Sequence, residues 1–227
     1  NGAAWAQDSS IFGVGLYGEV GIVSLLNTMV VGNTNLNQHA NTFGVGVCFS
    51  SGRHVLRNCL VASNVVTGGN ARWGSGEMLG GSGGSVLNES CTFVTNGTSE
   101  GIRNAGWPVV GSIVLSNCIV WGHADDVVDD NLIPQTRLVY CDIGNGDSNG
   151  VNGCIMSDPC FLDLSHGDFR IPYTSPCVNA GTNLAWMIGA QDLDGNPRLT
   201  NLVVDMGCYE AFVALMIYSP PPSNPSA

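Results

Sequence analysis

Acidic residues gather twice in this chain at spacings that could do chemistry. The denser group is Asp125-Asp126 with Asp129-Asp130. Four carboxylates so close could bind calcium through oxygen ligands, or divide into the acid and base of a glycosidase. No partner motif accompanies them, so a solvated turn is the ordinary expectation. The second group, Asp192-Leu193-Asp194-Gly195-Asn196, has the oxygen spacing of a partial calcium loop, with Asp192, Asp194 and Asn196 as ligands. Its glycine stands fourth instead of sixth, and Val203 occupies the place of the bidentate glutamate. A tight turn closed by Asx hydrogen bonds is therefore expected, with calcium as the alternative cofactor. Zinc is disfavoured, because the nine cysteines include no C-x2-C pair and His39, His54, His123 and His166 are scattered. Among the tryptophans, Trp73 and Trp107 are the better candidates for stacking on a sugar, against the commoner role of anchoring core or loops.

Composition narrows the function classes. Seven arginines and no lysine stand against 18 acidic residues, a net charge of −11, which argues against nucleic acid and anionic membranes as partners. Only 11% of residues are charged while 44% are hydrophobic, so solubility rests on Asn, Ser, Thr and Gly. No run of about 18 apolar residues is present to span a bilayer. No basic segment followed by an apolar one opens the sequence, so a removed signal peptide or a longer chain is expected. With nine cysteines, these features suggest a secreted or extracellular protein of the cell surface.

The elements that must position these residues come from an internal repeat. Leu26-Asn27-Thr28-Met29-Val30-Val31-Gly32-Asn33 recurs as Arg57-Asn58-Cys59-Leu60-Val61-Ala62-Ser63-Asn64 and as Glu89-Ser90-Cys91-Thr92-Phe93-Val94-Thr95-Asn96. Weaker copies begin at Ser116 and Val139. The pairs Thr28/Val30, Cys59/Val61, Cys91/Phe93, Cys118/Val120 and Cys141/Ile143 share one strand face, because side chains two apart point the same way. They are small or apolar, as an interior stack demands. Asn33, Asn64 and Asn96 close their copies, where each could bond its counterpart one rung away. The pattern predicts an all-β fold, a right-handed parallel β-helix of four or five rungs over residues 1–150, with the N-terminal part a cap or assembly segment.

After residue 150 the pattern changes. Ser157-Asp158-Pro159-Cys160, His166-Gly167-Asp168-Phe169, Ser175-Pro176-Cys177-Val178-Asn179-Ala180-Gly181, Asp192-Leu193-Asp194-Gly195-Asn196-Pro197-Arg198 and Val204-Asp205-Met206-Gly207-Cys208-Tyr209-Glu210 succeed one another in order. This set resembles the choice-of-anchor module that closes many bacterial secreted β-helix proteins of the pectate-lyase-like superfamily. The resemblance implies a surface protein with a small irregular module over 151–210, ahead of an apolar strand and Pro-rich tail at 211–227. Within that module two disulfides are expected, Cys154–Cys160 across a short loop and Cys177–Cys208 between motifs that must meet. Cys59, Cys91, Cys118 and Cys141 are instead expected as an unpaired, buried ladder, and Cys48 as spare.

No catalytic set assembles. The G-H-G histidine and R-I-K clamp of polygalacturonase-type β-helices are missing, and Arg53, Arg57, Arg72 and Arg103 lack the aspartates of a lyase. The expected function is a non-enzymatic structural or adhesive surface protein. The alternative is a carbohydrate-active β-helix enzyme or binding module with surface polysaccharide as partner. Self-association is expected from the uncharged apolar run Ala211–Tyr218, whose Phe212, Val213, Leu215, Met216, Ile217 and Tyr218 could add to an open solenoid edge and propagate a filament.

Overall fold

A computed structural model describes residues 10–36, 41–67, 72–74, 76–81, 83–97, 100–105, 111–146, 148–199 and 203–211, the side chains of Arg72 and Trp73 excepted. Three parallel sheets, each five strands deep, form the faces of a solenoid. The first coil contributes Leu16–Gly18, Ile22–Leu26 and Met29–Val31 to the first, second and third sheet. Val47–Phe49, Arg53–Arg57 and Leu60–Ala62 make the second coil, and Glu77–Leu79, Ser85–Glu89 and Thr92–Val94 the third. Glu100–Asn104, Ser112–Ser116 and Ile119–Trp121 make the fourth, and Asp125–Asp129, Thr136–Val139 and Asp142–Ile143 the fifth. Every pairing within these sheets is parallel. A smaller parallel sheet of Ser10–Phe12, Asn41–Phe43 and Arg72–Trp73 accompanies the first three coils.

The bend between the second and third strand of every coil is one left-handed residue: Asn27, Asn58, Ser90, Asn117 or Tyr140, with φ of 49 to 54°. Asparagine tolerates this conformation best among side-chain-bearing residues, which is why it recurs just before the Cys position. Beyond the bend the interior pairs Cys59/Val61, Cys91/Phe93, Cys118/Val120 and Cys141/Ile143 are buried in one continuous core with Leu56, Ile113 and Leu115. The expected apolar stack is therefore the centre of the fold.

A second ladder turns each coil from its third sheet back toward the first. Asn33 donates through Nδ2 to Asn64 Oδ1 at 2.9 Å, and Asn64 to Asn96 Oδ1 at 2.8 Å. The Nδ2 groups of Asn64 and Asn96 also donate to the carbonyls of Val30 and Val61. Opposite this ladder only glycine fits: a Cβ on Gly46 would meet Asn64 Nδ2 at 2.9 Å and the Gly76 carbonyl at 2.6 Å.

The described residues of 157–211 contain two 3-10 turns, Leu164–His166 and Ala185–Met187, and lie against the outer face of the third sheet. The outward Leu60, Ala62 and Val94 pack with Phe169, Cys208 and Tyr209. Ile119 packs with Ile171, Cys177 and Met206. This segment corrects the expected disulfides, because all nine cysteines are free thiols. Ile155 pairs in parallel with Asp142, which turns Cys154 inward as a fifth step of the ladder beneath Cys141. Cys160 is exposed, away from that buried ladder. Cys177 and Cys208 lie in separate apolar clusters, over different coils, and cannot meet. The ladder thiols stay unpaired because stacked side chains on in-register parallel strands are about 4.8 Å apart, beyond the roughly 3.5–4.5 Å Cβ separation of a disulfide. The thiols of Cys59, Cys91, Cys118 and Cys141 each donate instead to the carbonyl two residues earlier, at 3.2–3.4 Å.

Candidate functional site

The densest gathering of buried charge is the seam between the solenoid and the segment over it. Arg198 is fully buried. Its Nη2 donates to the carbonyls of Gly207 at 3.0 Å and Asp205 at 3.3 Å, and lies 3.3 Å from Glu210 Oε1. Its Nη1 reaches Asn58 Oδ1 at 3.4 Å, so one guanidinium ties the segment 205–210 to a solenoid corner. The corner asparagines complete the seam. Asn58 donates to the Gln191 carbonyl, while Asn117 exchanges hydrogen bonds with the backbone N–H and carbonyl of Thr182. The sequence carried a signal for this in the asparagine that precedes the Cys position, but the functional reading of the repeat passed over it.

Three carboxyl groups surround that arginine without forming an open cage. Asp205 accepts the amides of Asn179 and Ala211, both at 2.7 Å. Glu210 accepts the amide of Asp205 at 3.3 Å. Burial pushes the Glu210 carboxyl up to about 8, against the opposing pull of Arg198. Asp192 closes its own turn by accepting the amides of Asp194 at 2.9 Å and Asn196 at 2.7 Å, and its second oxygen takes the Glu210 amide. Asn196 donates its side chain to Asp192, and Asp194 stands 3.9 Å from Arg170. The carboxylates are engaged with backbone donors and cations, so what the seam does is hold the segment in place.

The Asp125-Asp126 and Asp129-Asp130 group disperses. Asp125 is exposed and Asp130 pairs with Arg103 at 2.6 Å. Burial raises Asp129, but hydrogen bonds from Thr136, Asn131 and Gln135 outweigh it and hold the carboxyl below its usual value. Asp126 is buried and lies 2.8 Å from His123 Nδ1. This His–Asp pair has the form of a catalytic dyad but another role. His123 Nε2 accepts the Asn96 amide at 3.3 Å, which assigns the proton to Nδ1 and makes the ring a fourth step of the asparagine ladder. Neither His123 nor Asp126 is open to a substrate, their side chains being 0% and 2% exposed.

Two more buried acids were not singled out from the sequence. Glu77 points into the core, accepts Asn88 Nδ2 at 3.1 Å, and is pushed by burial up to about 8. Asp142 accepts the Cys177 thiol at 3.0 Å and the Ser157 amide at 3.1 Å, and burial raises it to about 6. No group of His, Cys, Asp and Glu able to hold a metal occurs among the described residues. No helix among them is long and apolar enough to cross a membrane. Phe212, Val213, Leu215, Met216, Ile217 and Tyr218 lie outside the described residues, as do Trp107 and the Trp73 side chain. No protein-family model, curated protein or solved structure matches this chain.

Proposed function

We propose that this chain is a non-enzymatic structural solenoid of the cell exterior that associates through the open rim of its first coil. The observation that carries the reading is that rim. Among the described residues Leu16–Gly18, Ile22–Leu26 and Met29–Val31 each pair on one side only, leaving a row of backbone donors and acceptors open to another strand. Around them Ile22 is 78% exposed, Val20 77% and Met29 57%, and the core residues Leu16, Val23, Leu25 and Val30 are only half-buried at the mouth.

The opposite end differs. Segment 144–156 folds beneath the fifth coil, with the Tyr140 amide donating to the Asn152 carbonyl and Cys154 filling the core. The strand Asp125–Asp129 carries aspartates along its open edge, a charge pattern that opposes strand addition. Ala211 packs against the cluster of Ile119, Ile171, Cys177 and Met206, over the fourth coil and toward that far end. The uncharged apolar run that follows Ala211 in the sequence is therefore joined to the chain away from the rim, which supports its addition to the rim of a neighbour. Such a contact is heterologous and propagates head to tail as a filament. Eight of the nine thiols are buried, which shields them in an oxidising medium.

Sedimentation velocity and electron microscopy test this across a concentration series. Wild-type protein is expected to assemble with rising concentration. Deleting residues 212–227, or changing the exposed Leu26 and Met29 together to lysine, is expected to leave monomers. A wild type that stays monomeric when concentrated, or a deletion that assembles unchanged, refutes the proposal.

A further inference from the structure

Outside the core, a cavity of about 410 Å3 opens between the small sheet and the outer face of the first sheet. Phe12 and Phe43 form one wall, and Tyr17, Cys48 and Met78, stacked in register on three successive coils, form the other. Ala105 closes one end. The aromatic rings are ordered: Phe12 stacks on Phe43 with centroids 5.0 Å apart and planes at 17°, and Tyr17 tilts toward Phe12 at 5.8 Å. Phe12 and Tyr17 are 45% and 44% exposed, so the mouth itself is aromatic.

Four properties define what fits. No charged side chain lines the space among the described residues, and burial holds the Cys48 thiol neutral by pushing it up to about 12. An ion entering would lose its hydration with no counter-charge. Among the described residues Ser50 and Tyr17 are the only hydroxyl-bearing ones that line the space, too few for the hydroxyls around a sugar ring, each of which costs free energy when desolvated unpaired. The volume sits at the small end of the roughly 300–1,000 Å3 typical of small-molecule sites, which excludes a helix or a folded partner. Met78 and Cys48 add polarizable sulfur to the wall, which favours contact with an aromatic ring.

We propose that this cavity binds an uncharged small molecule with a flat aromatic face, inserted between the Phe12–Phe43 stack and the Cys48–Met78 wall. The reading is independent of assembly at the rim and is tested at dilutions where sedimentation shows monomers. The probe is the neutral dye N-phenyl-1-naphthylamine, followed by its fluorescence, with a sulfonated naphthylamine as the charged arm. The neutral dye is expected to bind at one site, and the sulfonated one at least about tenfold more weakly. Ala105→Phe fills the cavity and is expected to abolish binding; Phe12→Ala is expected to weaken it about tenfold. Leu36→Ala, which removes an exposed apolar side chain elsewhere, is expected to change nothing. In a Cys160→Ser background, bound dye is also expected to slow alkylation of Cys48, read by peptide mass mapping. Thermal unfolding by circular dichroism reports on folding, and if Ala105→Phe does not fold, Phe12→Ala and the protection of Cys48 decide. Absence of dye binding overturns the proposal, and so does equal binding by folded Ala105→Phe and Phe12→Ala. Binding that appears only after deletion of residues 1–9 also overturns it, since the chain would then fill its own cavity.

Discussion

Replacing Glu77 with glutamine removes a proton-binding group from the middle of the core, and the surroundings of that group set the energetic consequence. Glu77 is fully buried, and its Oε2 and the Oδ1 of its partner Asn88 both lack a hydrogen-bond partner while the carboxyl serves only as an acceptor. A proton on the carboxyl supplies the donor this pair is missing. Burial is the main cause that raises the group to about 8 from 4.5, Asn88 opposes it, and the nearby Cys59 adds to it. The native state thus holds a proton that the unfolded chain releases above pH 4.5. Its stabilisation is fully present below that value and is lost as pH rises through about 8, at roughly 1.4 kcal/mol per pH unit, on the order of 5 kcal/mol in all. Glutamine is neutral at every pH, nearly isosteric, and able both to accept from Asn88 and to donate to it. Urea denaturation at pH 5 and pH 8 measures the effect. Wild type and Glu77→Gln are expected to be similar at pH 5, with the variant more stable by several kcal/mol at pH 8. A variant that loses stability as steeply as wild type, or is the weaker of the two at pH 8, would refute a protonated Glu77 and with it the account of this core.

Arg198→Met should destabilise the protein by about 2–4 kcal/mol in the same assay, because it leaves the buried carbonyls of Asp205 and Gly207 without their donor. The same variant should expose the segment 157–211 to limited proteolysis before the solenoid, and simultaneous digestion of both would show that the arginine does not hold the seam. Thiol titration without reductant should count nine cysteines in denaturant and one fast-reacting cysteine, Cys160, in the native protein. A count of five in denaturant would restore two disulfides.

The solenoid was legible because it is a matter of period. Coils that stack in register must repeat their inward residues, and Cys59/Val61, Cys91/Phe93 and Cys118/Val120 announce that register in the chain itself. The asparagine ladder was legible for the same reason, since Asn33, Asn64 and Asn96 recur at the step of the coil. Its continuation by His123 was legible in position, since the copy that begins at Ser116 ends on that residue, but not in role: a different residue type fills the place, and only the structure shows that its ring accepts from Asn96 and is held by Asp126. Cys154 looked like one end of a loop-closing disulfide, yet the pairing of Ile155 with Asp142 turns it into the core. Glu77, Arg198 and the aromatic cavity lie further still from the one-dimensional pattern. Glu77 meets Asn88 across the interior, and Arg198 reaches Asn58 across 140 residues of chain. The sequence by itself determined the repeat, the inward face and the shortage of charge, because these depend on spacing and composition. Which buried polar groups meet, and which cysteines remain thiols, only the tertiary structure decided, because hydrogen bonds and disulfides depend on distances and directions that chain spacing does not contain.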